Sequence, residues 1–393
     1  MNVAQGASLD LSEGRFSRFQ QIRWWKQSVL SEARILVVGA GALGNEVLKN
    51  LALLGVGNVA VIDMDRIEAS NLSRSVLFRE ANEGELKSTV AARVAKEIYP
   101  AMNVHPLSGN VLADIGLGWF RWANVVVGAL DNREARLWVN SACARVGRPW
   151  IDGGIDVLTG IVRGFNPPAT ACYECAMGEA DWTLLNQRRS CSLLARRLAA
   201  SQSTPTTPTT ASIIGALQVQ EVIKLLHGID ALMGRGLVFD GSLHNSFTAN
   251  YPINAECPWH EEPAPIEPHE DLHSGLPLRK VWDAATASLG GAPDALDLSR
   301  EIVSHLTCPN CKTSQDIFRA VEAIAVDDIP CPTCKAERSP ELLHSIDAKS
   351  PLLDRTAKDI GLPQWDILWA RRGVSAIGIE LAGDRQTALN HEA

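Results

Sequence analysis

Three features of the sequence predict an α/β fold, with a doubly wound, mixed but mostly parallel sheet and a small second domain after it. Residues 33–65 read as an apolar strand, a glycine turn, a helix and a second apolar strand. Two more apolar segments, at 123–130 and 148–155, are separated by a helix-like stretch. Two CxxC pairs near the C-terminus mark the second domain. Strands that alternate with helices form parallel sheets, which bind ligands at the carboxyl ends of their strands.

The composition limits the class of protein. With 393 residues, of which 46% are hydrophobic, the chain can bury at least one large core. A net charge of -8 gives no bulk attraction to nucleic acid or an anionic membrane, so neither is an expected partner. The sequence shows neither an apolar run of about 18 residues nor a signal-peptide core, so a cytoplasmic location is expected. Six of the nine cysteines lie in CxxC pairs, which in a reducing compartment favours metal binding or catalysis over disulfides.

The remaining elements suggest where the domains divide. Residues 211–228 have the pattern of an amphipathic helix closed by glycine, and the run STPTTPTT before them is predicted to be an exposed loop. A Pro-, Glu- and His-rich stretch at 261–277 predicts a linker, followed by a helical stretch at 278–305 and short strands at 361–384. We therefore predict a nucleotide-binding domain at 1–262, a linker and helical segment at 263–300, and a C-terminal region at 301–393.

The sequence GAGALG at 39–44 is the first candidate site. It follows a strand and opens a helix, and Gly39, Gly41 and Gly44 would permit a tight turn that brings phosphates close to backbone amides. Asp63, at the end of the next strand, is placed to bond a ribose hydroxyl. This turn alone would equally suit an NAD- or FAD-dependent oxidoreductase.

The residues after these strands favour phosphate chemistry on a nucleoside triphosphate. Two cations and a loop amide can neutralise a triphosphate, and a carboxylate at a strand end can hold magnesium. A single residue of any of these types more often lies on the solvated surface without a function. The order of these residues after the glycine turn is what favours a nucleotide-binding site. The candidates are Asp65, Asn71, Arg74, Lys87, Asp131 and Asn132.

These motifs together resemble the ThiF/MoeB/HesA and ubiquitin-activating enzyme superfamily, whose members adenylate the C-terminal glycine of a ubiquitin-like or sulfur-carrier protein. The resemblance covers residues 13–262. The superfamily includes prokaryotic members that serve conjugation pathways, and this chain resembles those. The resemblance rests on RFSR (15–18), GAGALG, DMD, SNLSR, ELKS, ALDNREAR, CYEC, the helix ASIIGALQVQEVIKLL and CPWH (257–260), in the family's order.

The resemblance implies a role for each candidate. ATP would be held by the glycine turn, with its ribose on Asp63 and with magnesium on Asp131. The phosphates would lie near Asn71, Arg74 and Lys87. Members built as homodimers use an arginine of the RFSR-like motif at the partner's ATP, which implies a homodimer in which Arg15 or Arg18 acts in trans.

Two zinc sites are predicted from cysteine spacing. Cys172, Cys175, Cys257 and His260 form a Cys3His set, in which His260 stands where the family usually has a fourth cysteine. Cys308, Cys311, Cys331 and Cys334 form a zinc ribbon at 308–334. The alternatives are unrelated reduced thiols for the first set and redox chemistry for the CxxC pairs.

Cys191 lies among four arginines in QRRSCSLLARR, within a predicted crossover segment at about 176–210. The arginines would favour the thiolate, and the resemblance implies a catalytic cysteine in this segment. Cys191 is therefore either the nucleophile that takes the acyl group as a thioester or a passive thiol on a basic helix. Cys143 is predicted to be a core residue.

Four functions follow from these observations. The first is activation of a ubiquitin-like protein by adenylation, thioester formation on Cys191 and transfer to a conjugating enzyme. The second is adenylation for sulfur transfer in thiamine or molybdopterin synthesis, without a conjugating partner. The oxidoreductase is the third, and a catalytically inactive scaffold is the fourth.

Overall fold

The computed structural model describes residues 14–183 and 205–390. Its first sheet has eight strands in the order β3-β2-β1-β4-β5-β6-β7-β8. The strands are β1 (Arg34–Val38), β2 (Asn58–Asp63), β3 (Asn103–Ser108), β4 (Val125–Gly128), β5 (Trp150–Asp156), β6 (Thr159–Phe165), β7 (Arg235–Asp240) and β8 (Asn245–Asn250). β1 to β5 are parallel, and β6 to β8 continue the sheet as antiparallel neighbours.

Helices cover both faces of this sheet, as the doubly wound fold predicts. They are α1 (Gln27–Glu32), α2 (Ala42–Leu54), α3 (Lys87–Ile98), α4 (Leu117–Trp122), α5 (Arg133–Val146) and α6 (Pro208–Leu226). Ile35 and Val37 of β1 belong to the core shared with α2, α3 and α6. Leu36 and Val38 belong to the opposite core, with α4 and α5. Alternate side chains of one strand therefore enter two cores, which explains its continuous apolar sequence. The predicted fold class is confirmed.

Capping residues set the bounds of these helices. Gly55 and Gly147 end α2 and α5 in the left-handed conformation, with φ of 77° and 62°. Helix α6 begins at Pro208, with Thr207 as its N-cap, so the prediction of an exposed loop for STPTTPTT is wrong for its last three residues, which are helical. A threonine cap followed by proline at the first position is a helix start, because that proline has no amide to leave unpaired. Within the described ranges, no helix combines the length and the apolar character that crossing a bilayer requires.

A second sheet lies in the C-terminal region. Its elements are β9 (Ile266–Pro268), α7 (Leu278–Ser288), β10 (Ala295–Thr307), β11 (Ser314–Ala320), β12 (Ser339–Ile346), β13 (Ile367–Arg372), β14 (Ser375–Glu380) and α8 (Arg385–Leu389). The strand order is β11-β10-β13-β14-β9, and β12 pairs with β10. This sheet has its own core, which includes Leu296, Ile302, Leu368 and Ile379.

The predicted helical stretch at 278–305 is wrong in its second half. Helix α7 ends at Ser288, and Gly290, with φ of 63°, turns the chain out of the helix. The residues from Ala295 onward form the long strand β10, which pairs with three other strands. The second sheet thus takes strands from both sides of residue 300, and the predicted division of the chain at 262 and 300 stays a prediction.

Candidate functional site

The turn between β1 and α2 requires glycine at two positions. Gly39 has φ of 102°, and a Cβ there would lie 2.3 Å from the carbonyl oxygen of Ala129. A Cβ on Gly44 would lie 1.9 Å from the carbonyl oxygen of Gly39. The turn, the first turn of α2 and the end of β4 are therefore packed backbone against backbone.

Gly41 has a different surrounding. It is the N-cap of the 13-residue helix α2, and a Cβ there would meet no described atom within 4 Å. The first amides of a helix have no partner inside the helix, and the helix dipole favours an anion at that end. The open space at Gly41 therefore fits the phosphates of a nucleotide.

Asn45 holds this turn closed and was missed in the sequence. Its side chain is fully buried, and its Nδ2 donates to the carbonyl oxygens of Ala40 at 2.7 Å and Gly41 at 3.0 Å. Its Oδ1 accepts from the amide of Leu77 at 2.9 Å. The signal in the sequence was a polar residue among the apolar residues of a buried helix face. A buried side-chain amide needs hydrogen-bond partners, so such a residue is expected to bond nearby backbone.

Asp63 connects the end of β2 to the glycine turn. One carboxylate oxygen accepts from the amide of Ala40 at 2.7 Å, and the other accepts from the amide of Asp65 at 2.8 Å. Burial raises the pKa of Asp63 above its usual value, although both amides and Lys87 act against that shift. The carboxylate is thus fixed at the edge of the sheet beside the open N-terminus of α2.

Lys87 and Asp65 form an ion pair next to Asp63. The Lys87 Nζ lies 2.8 Å from Asp65 Oδ2, and the Lys87 amide donates to the Asp65 carbonyl at 3.0 Å. The Lys87 side chain is only 12% exposed, whereas that of Asp65 is 55% exposed. The start of α3 therefore holds a cation at the carboxyl end of β2.

Asn71 and Arg74 lie in the loop between β2 and α3. The Asn71 Oδ1 accepts from the amide of Glu68 at 3.0 Å, so this oxygen shapes the loop. The Arg74 Nη1 donates to the carbonyl of Ser70 at 2.6 Å, and the guanidinium is partly exposed. Because it has five N–H donors, most of the guanidinium remains able to bind an anion.

Asp131 and Asn132 follow β4, beside Gly39. Both are exposed, and Asn132 caps α5 by accepting from the amide of Ala135 at 2.8 Å while its Nδ2 donates to Asp131 Oδ1 at 3.1 Å. Exposure of its carboxylate leaves Asp131 able to hold a hydrated cation such as magnesium.

Arg136 bonds the backbone next to Asp131 and was also missed in the sequence. It donates to the carbonyls of Leu130 at 2.6 Å and Gly153 at 3.0 Å, and its Nε lies 2.9 Å from Asp152 Oδ1. Asp152 is fully buried and also pairs with Arg163 at 2.5 Å. The sequence contained no signal for this network, because its members come from separate elements.

The structure places Arg15 away from these residues within one chain. The Arg15 Nη2 donates to the carbonyl of Ile98 at 2.6 Å, and its guanidinium lies 5.1 Å from the ring centre of Tyr99. Ile98 and Lys87 are at opposite ends of α3, about 17 Å apart by the helical rise. Arg18 is exposed. The role of either arginine in trans stays a prediction.

The first cysteine set converges in space. The ligand atoms of Cys172, Cys175, Cys257 and His260 all lie within 4.8 Å of one another. Cys172 Sγ is 3.5 Å from Cys257 Sγ, and Cys175 Sγ is 3.0 Å from His260 Nε2. The His260 Nδ1 faces the carbonyl of Pro168 at 3.4 Å, which orients Nε2 toward the sulfurs. This donor set fits tetrahedral zinc.

The second set forms two matching knuckles. The sulfurs of Cys308, Cys311, Cys331 and Cys334 also lie within 4.8 Å of one another. After each CxxC pair a lysine, Lys312 or Lys335, has φ of 61° and its amide donates to the carbonyl of the pair's first cysteine. Four converging thiols are compatible with zinc, with no coordination position left open.

Two cysteines, Cys191 and Cys143, lie outside the two metal-binding sets. Cys191 lies outside the described residues. Cys143 is fully buried in α5, and burial raises the pKa of its thiol well above the usual value, so it is the core residue that the sequence predicts.

Comparison with known proteins identifies the family. The model of the ThiF family matches residues 15–259, which is more than half of the chain. The chain therefore belongs to the ThiF family.

The chain is also similar to parts of two curated enzymes. The chain is 39% identical over 150 residues to the NEDD8-activating enzyme E1 catalytic subunit of Schizosaccharomyces pombe, covering 37% of this chain and 34% of that protein. It is 47% identical over 137 residues to the ubiquitin-activating enzyme E1 1 of Arabidopsis thaliana, covering 33% of this chain and 13% of that protein. The matches thus span about a third or less of these relatives' length.

Among solved structures, the chain is similar to E. coli MccB crystallised with ATP. The two superpose with a TM-score of 0.54 at 22% identity, over 64% of this chain and 75% of MccB. This likeness supports the fold of the part of the chain that superposes.

Proposed function

We propose that this chain uses ATP and magnesium to adenylate the C-terminal glycine of a ubiquitin-like protein. In a second step the acyl group passes to Cys191 as a thioester and then to a conjugating enzyme. Membership of the ThiF family and similarity to curated E1 enzymes support the first step. The second step rests on the sequence around Cys191.

The open space at Gly41 is the observation that carries the proposal. It lies at the N-terminus of α2, and the carboxyl ends of β1, β2 and β4 bring Asp63, Lys87 and Asp131 to the same edge of the sheet. A triphosphate needs amide donors and cations, and its ribose needs an acceptor. These groups occur together here, which suits a nucleoside triphosphate better than a nicotinamide or a flavin.

The first step needs alignment and charge neutralisation. A carboxylate oxygen of the terminal glycine attacks the α-phosphorus, and the bond from that phosphorus to the oxygen bridging to the β-phosphate breaks. The electron pair leaves with pyrophosphate, and the acyl adenylate remains. The glycine turn orients the phosphates while Lys87 and Arg74 offset the charge on them. The attacking carboxylate is already ionised and needs no general base.

Asp131 would hold the magnesium ion, which supplies positive charge to the phosphate oxygens. Arg136 and Asn132 keep the Asp131 loop in place through their bonds to Leu130 and to the start of α5. The two cysteine-rich sets would each hold a structural zinc. We also expect a cytoplasmic homodimer in which Arg15 or Arg18 completes the partner's site.

In the second step, the Cys191 thiolate would attack the acyl carbon of the adenylate. A carbon–sulfur bond forms, the carbon–oxygen bond to phosphate breaks, and AMP leaves. The experiment is to incubate the chain with ATP, magnesium and a ubiquitin-like protein that ends in glycine. The pyrophosphate and acyl adenylate of the first step are followed separately from a thiol-sensitive covalent adduct, which reports the second step. Both products are expected. Adenylate without an adduct would indicate the sulfur-transfer route instead, and absence of both would overturn the proposal.

A further inference from the structure

The turn at 109–116 joins the nucleotide site to the C-terminal sheet. It follows β3, whose last residue, Ser108, is the register partner of Asp63. The amide of Gly109 donates to the main-chain carbonyl of Asp63 at 3.3 Å. We call residues 109–116 the post-β3 turn. Its position is thus coupled directly to the residue that we assign to the ribose.

Bonds within the post-β3 turn keep it compact. The Asp114 carboxylate accepts from the amide of Asn110 at 2.8 Å, and the Asn110 carbonyl accepts from the amide of Asp114 at 2.8 Å. Val111 and Ile115 are buried in the core beneath it. These bonds and the two buried side chains fix the conformation of the turn between its ends.

Arg300 of β10 binds the far end of the turn. Its side chain is 1% exposed, and its guanidinium donates to the carbonyls of Leu112 at 3.1 Å and Ile115 at 2.8 Å. The guanidinium carbon also lies 4.8 Å from the ring centre of Trp138 in α5. A residue outside the ThiF match therefore satisfies two backbone acceptors of the post-β3 turn.

Asp366 balances the buried charge of Arg300. It is fully buried, and its Oδ2 lies 3.8 Å from Arg300 Nη2. The same oxygen accepts from Ser299 Oγ at 2.5 Å, and Oδ1 accepts from the amide of Leu117 at 3.0 Å. A buried charge pair persists only where hydrogen bonds satisfy both groups, and that condition is met here.

The two halves of the molecule are also in close contact beside this pair. A Cβ on Gly118 would lie 2.3 Å from the ring of Trp365, and a Cβ on Gly116 would lie 2.1 Å from the carbonyl of Gln364. Trp365 is 1% exposed and belongs to the core that contains β1 and β4. The C-terminal sheet is therefore packed into the nucleotide-binding half of the molecule.

We propose that Arg300 is a positioning residue for the nucleotide site. By holding Leu112 and Ile115 it fixes the post-β3 turn, and through Gly109 it fixes the end of β2 at Asp63. The C-terminal sheet then helps to position the ATP site, in addition to containing the cysteine set at 308–334. This inference rests on the proposed function, because it assigns Asp63 to the nucleotide.

The test compares two full-length variants that each break a contact between the two halves. Arg300→Met removes the bonds to the post-β3 turn. Arg121→Met is the matched control, because Arg121 of α4 pairs with Glu380 of β14 without bonding that turn. Calorimetric titration with ATP and magnesium measures affinity, and hydrogen exchange measures protection of the amides at 109–117. Thermal unfolding identifies a variant that does not fold, and Arg300→Lys then replaces it, since a single ammonium cannot match the guanidinium at both carbonyls.

We expect Arg300→Met or its lysine substitute to weaken ATP binding by about tenfold and to lose protection at 109–117, with Arg121→Met unchanged in both respects. Equal weakening in both variants would show a general loss of packing and overturn the inference. Undiminished ATP affinity in the Arg300 variant would also overturn it, while leaving the proposed function intact. A wild-type chain without ATP affinity would overturn the proposed function and this inference with it.

Discussion

The Cβ that Gly44 lacks would lie 1.9 Å from the carbonyl oxygen of Gly39, whereas one on Gly41 would meet no described atom within 4 Å. The two glycines therefore have different roles, although they stand three residues apart in one motif. Gly44 permits the backbone to pack, and Gly41 leaves the N-terminus of α2 open. This difference can be tested with a pair of alanine substitutions.

Gly44→Ala should destabilise the protein by at least about 2 kcal/mol, because the new methyl group must displace backbone. Gly41→Ala should lower the free energy of unfolding by only about 1 kcal/mol, which is the cost of alanine in place of glycine at a helix N-cap. It should nevertheless weaken ATP binding, because its methyl group enters the phosphate space. Thermal unfolding and ATP titration measure the two effects. Equal loss of stability in both variants would contradict the assignment of the open space.

Lys87→Met should lower the kcat/KM of carrier-dependent ATP–pyrophosphate exchange by about 100-fold, because a fixed cation is removed from the phosphates. The matched control is Lys49→Met on α2, where the lysine pairs with Glu46 of the same helix. That variant should retain exchange. Comparable exchange in the two variants would rule out a phosphate role for Lys87.

Cys191→Ala should leave pyrophosphate exchange intact and remove the thiol-sensitive adduct, because adenylation precedes thioester formation. Cys143→Ala serves as the control, since that thiol is fully buried in α5. It should keep the adduct at a cost in stability. An adduct that survives in Cys191→Ala, detected by non-reducing electrophoresis, would place the nucleophile elsewhere.

The purified chain should contain two zinc ions. His260→Cys should keep both, because a fourth thiolate replaces the imidazole, whereas His260→Ala should lose the ion held with Cys172, Cys175 and Cys257. Native mass spectrometry and elemental analysis count the ions. Retention of both ions in the alanine variant would remove His260 from the ligand set.

The sequence predicts those parts of the molecule in which one short segment carries its own signal. The strand, glycine turn and helix at 33–65 are such a segment, because burial on both faces gives β1 a continuous apolar run. The cysteine sets are another, since metal ligands in pairs have a fixed spacing.

The parts that sequence reasoning missed depend on contacts between distant segments. Asn45, Arg136 and Arg300 each bond backbone carbonyls, and an arginine that does so looks like any surface arginine in a sequence. Residues 295–305 are predicted as helix but lie in the strand β10, whose partners β11, β12 and β13 come later in the chain. Pairing with those strands, rather than local propensity, determines its conformation.

Carrier-dependent ATP–pyrophosphate exchange tests the central proposal most directly. Asp131→Ala should abolish exchange, because the site loses its magnesium ligand, whereas Asp230→Ala, which removes an exposed aspartate paired with Arg235, should leave it unchanged. The assay uses the full chain with a ubiquitin-like protein that ends in glycine. Exchange by wild type and by Asp230→Ala, with none by Asp131→Ala, is the predicted result. Undiminished exchange by Asp131→Ala would contradict the magnesium assignment, and no exchange by the wild type would contradict adenylation itself.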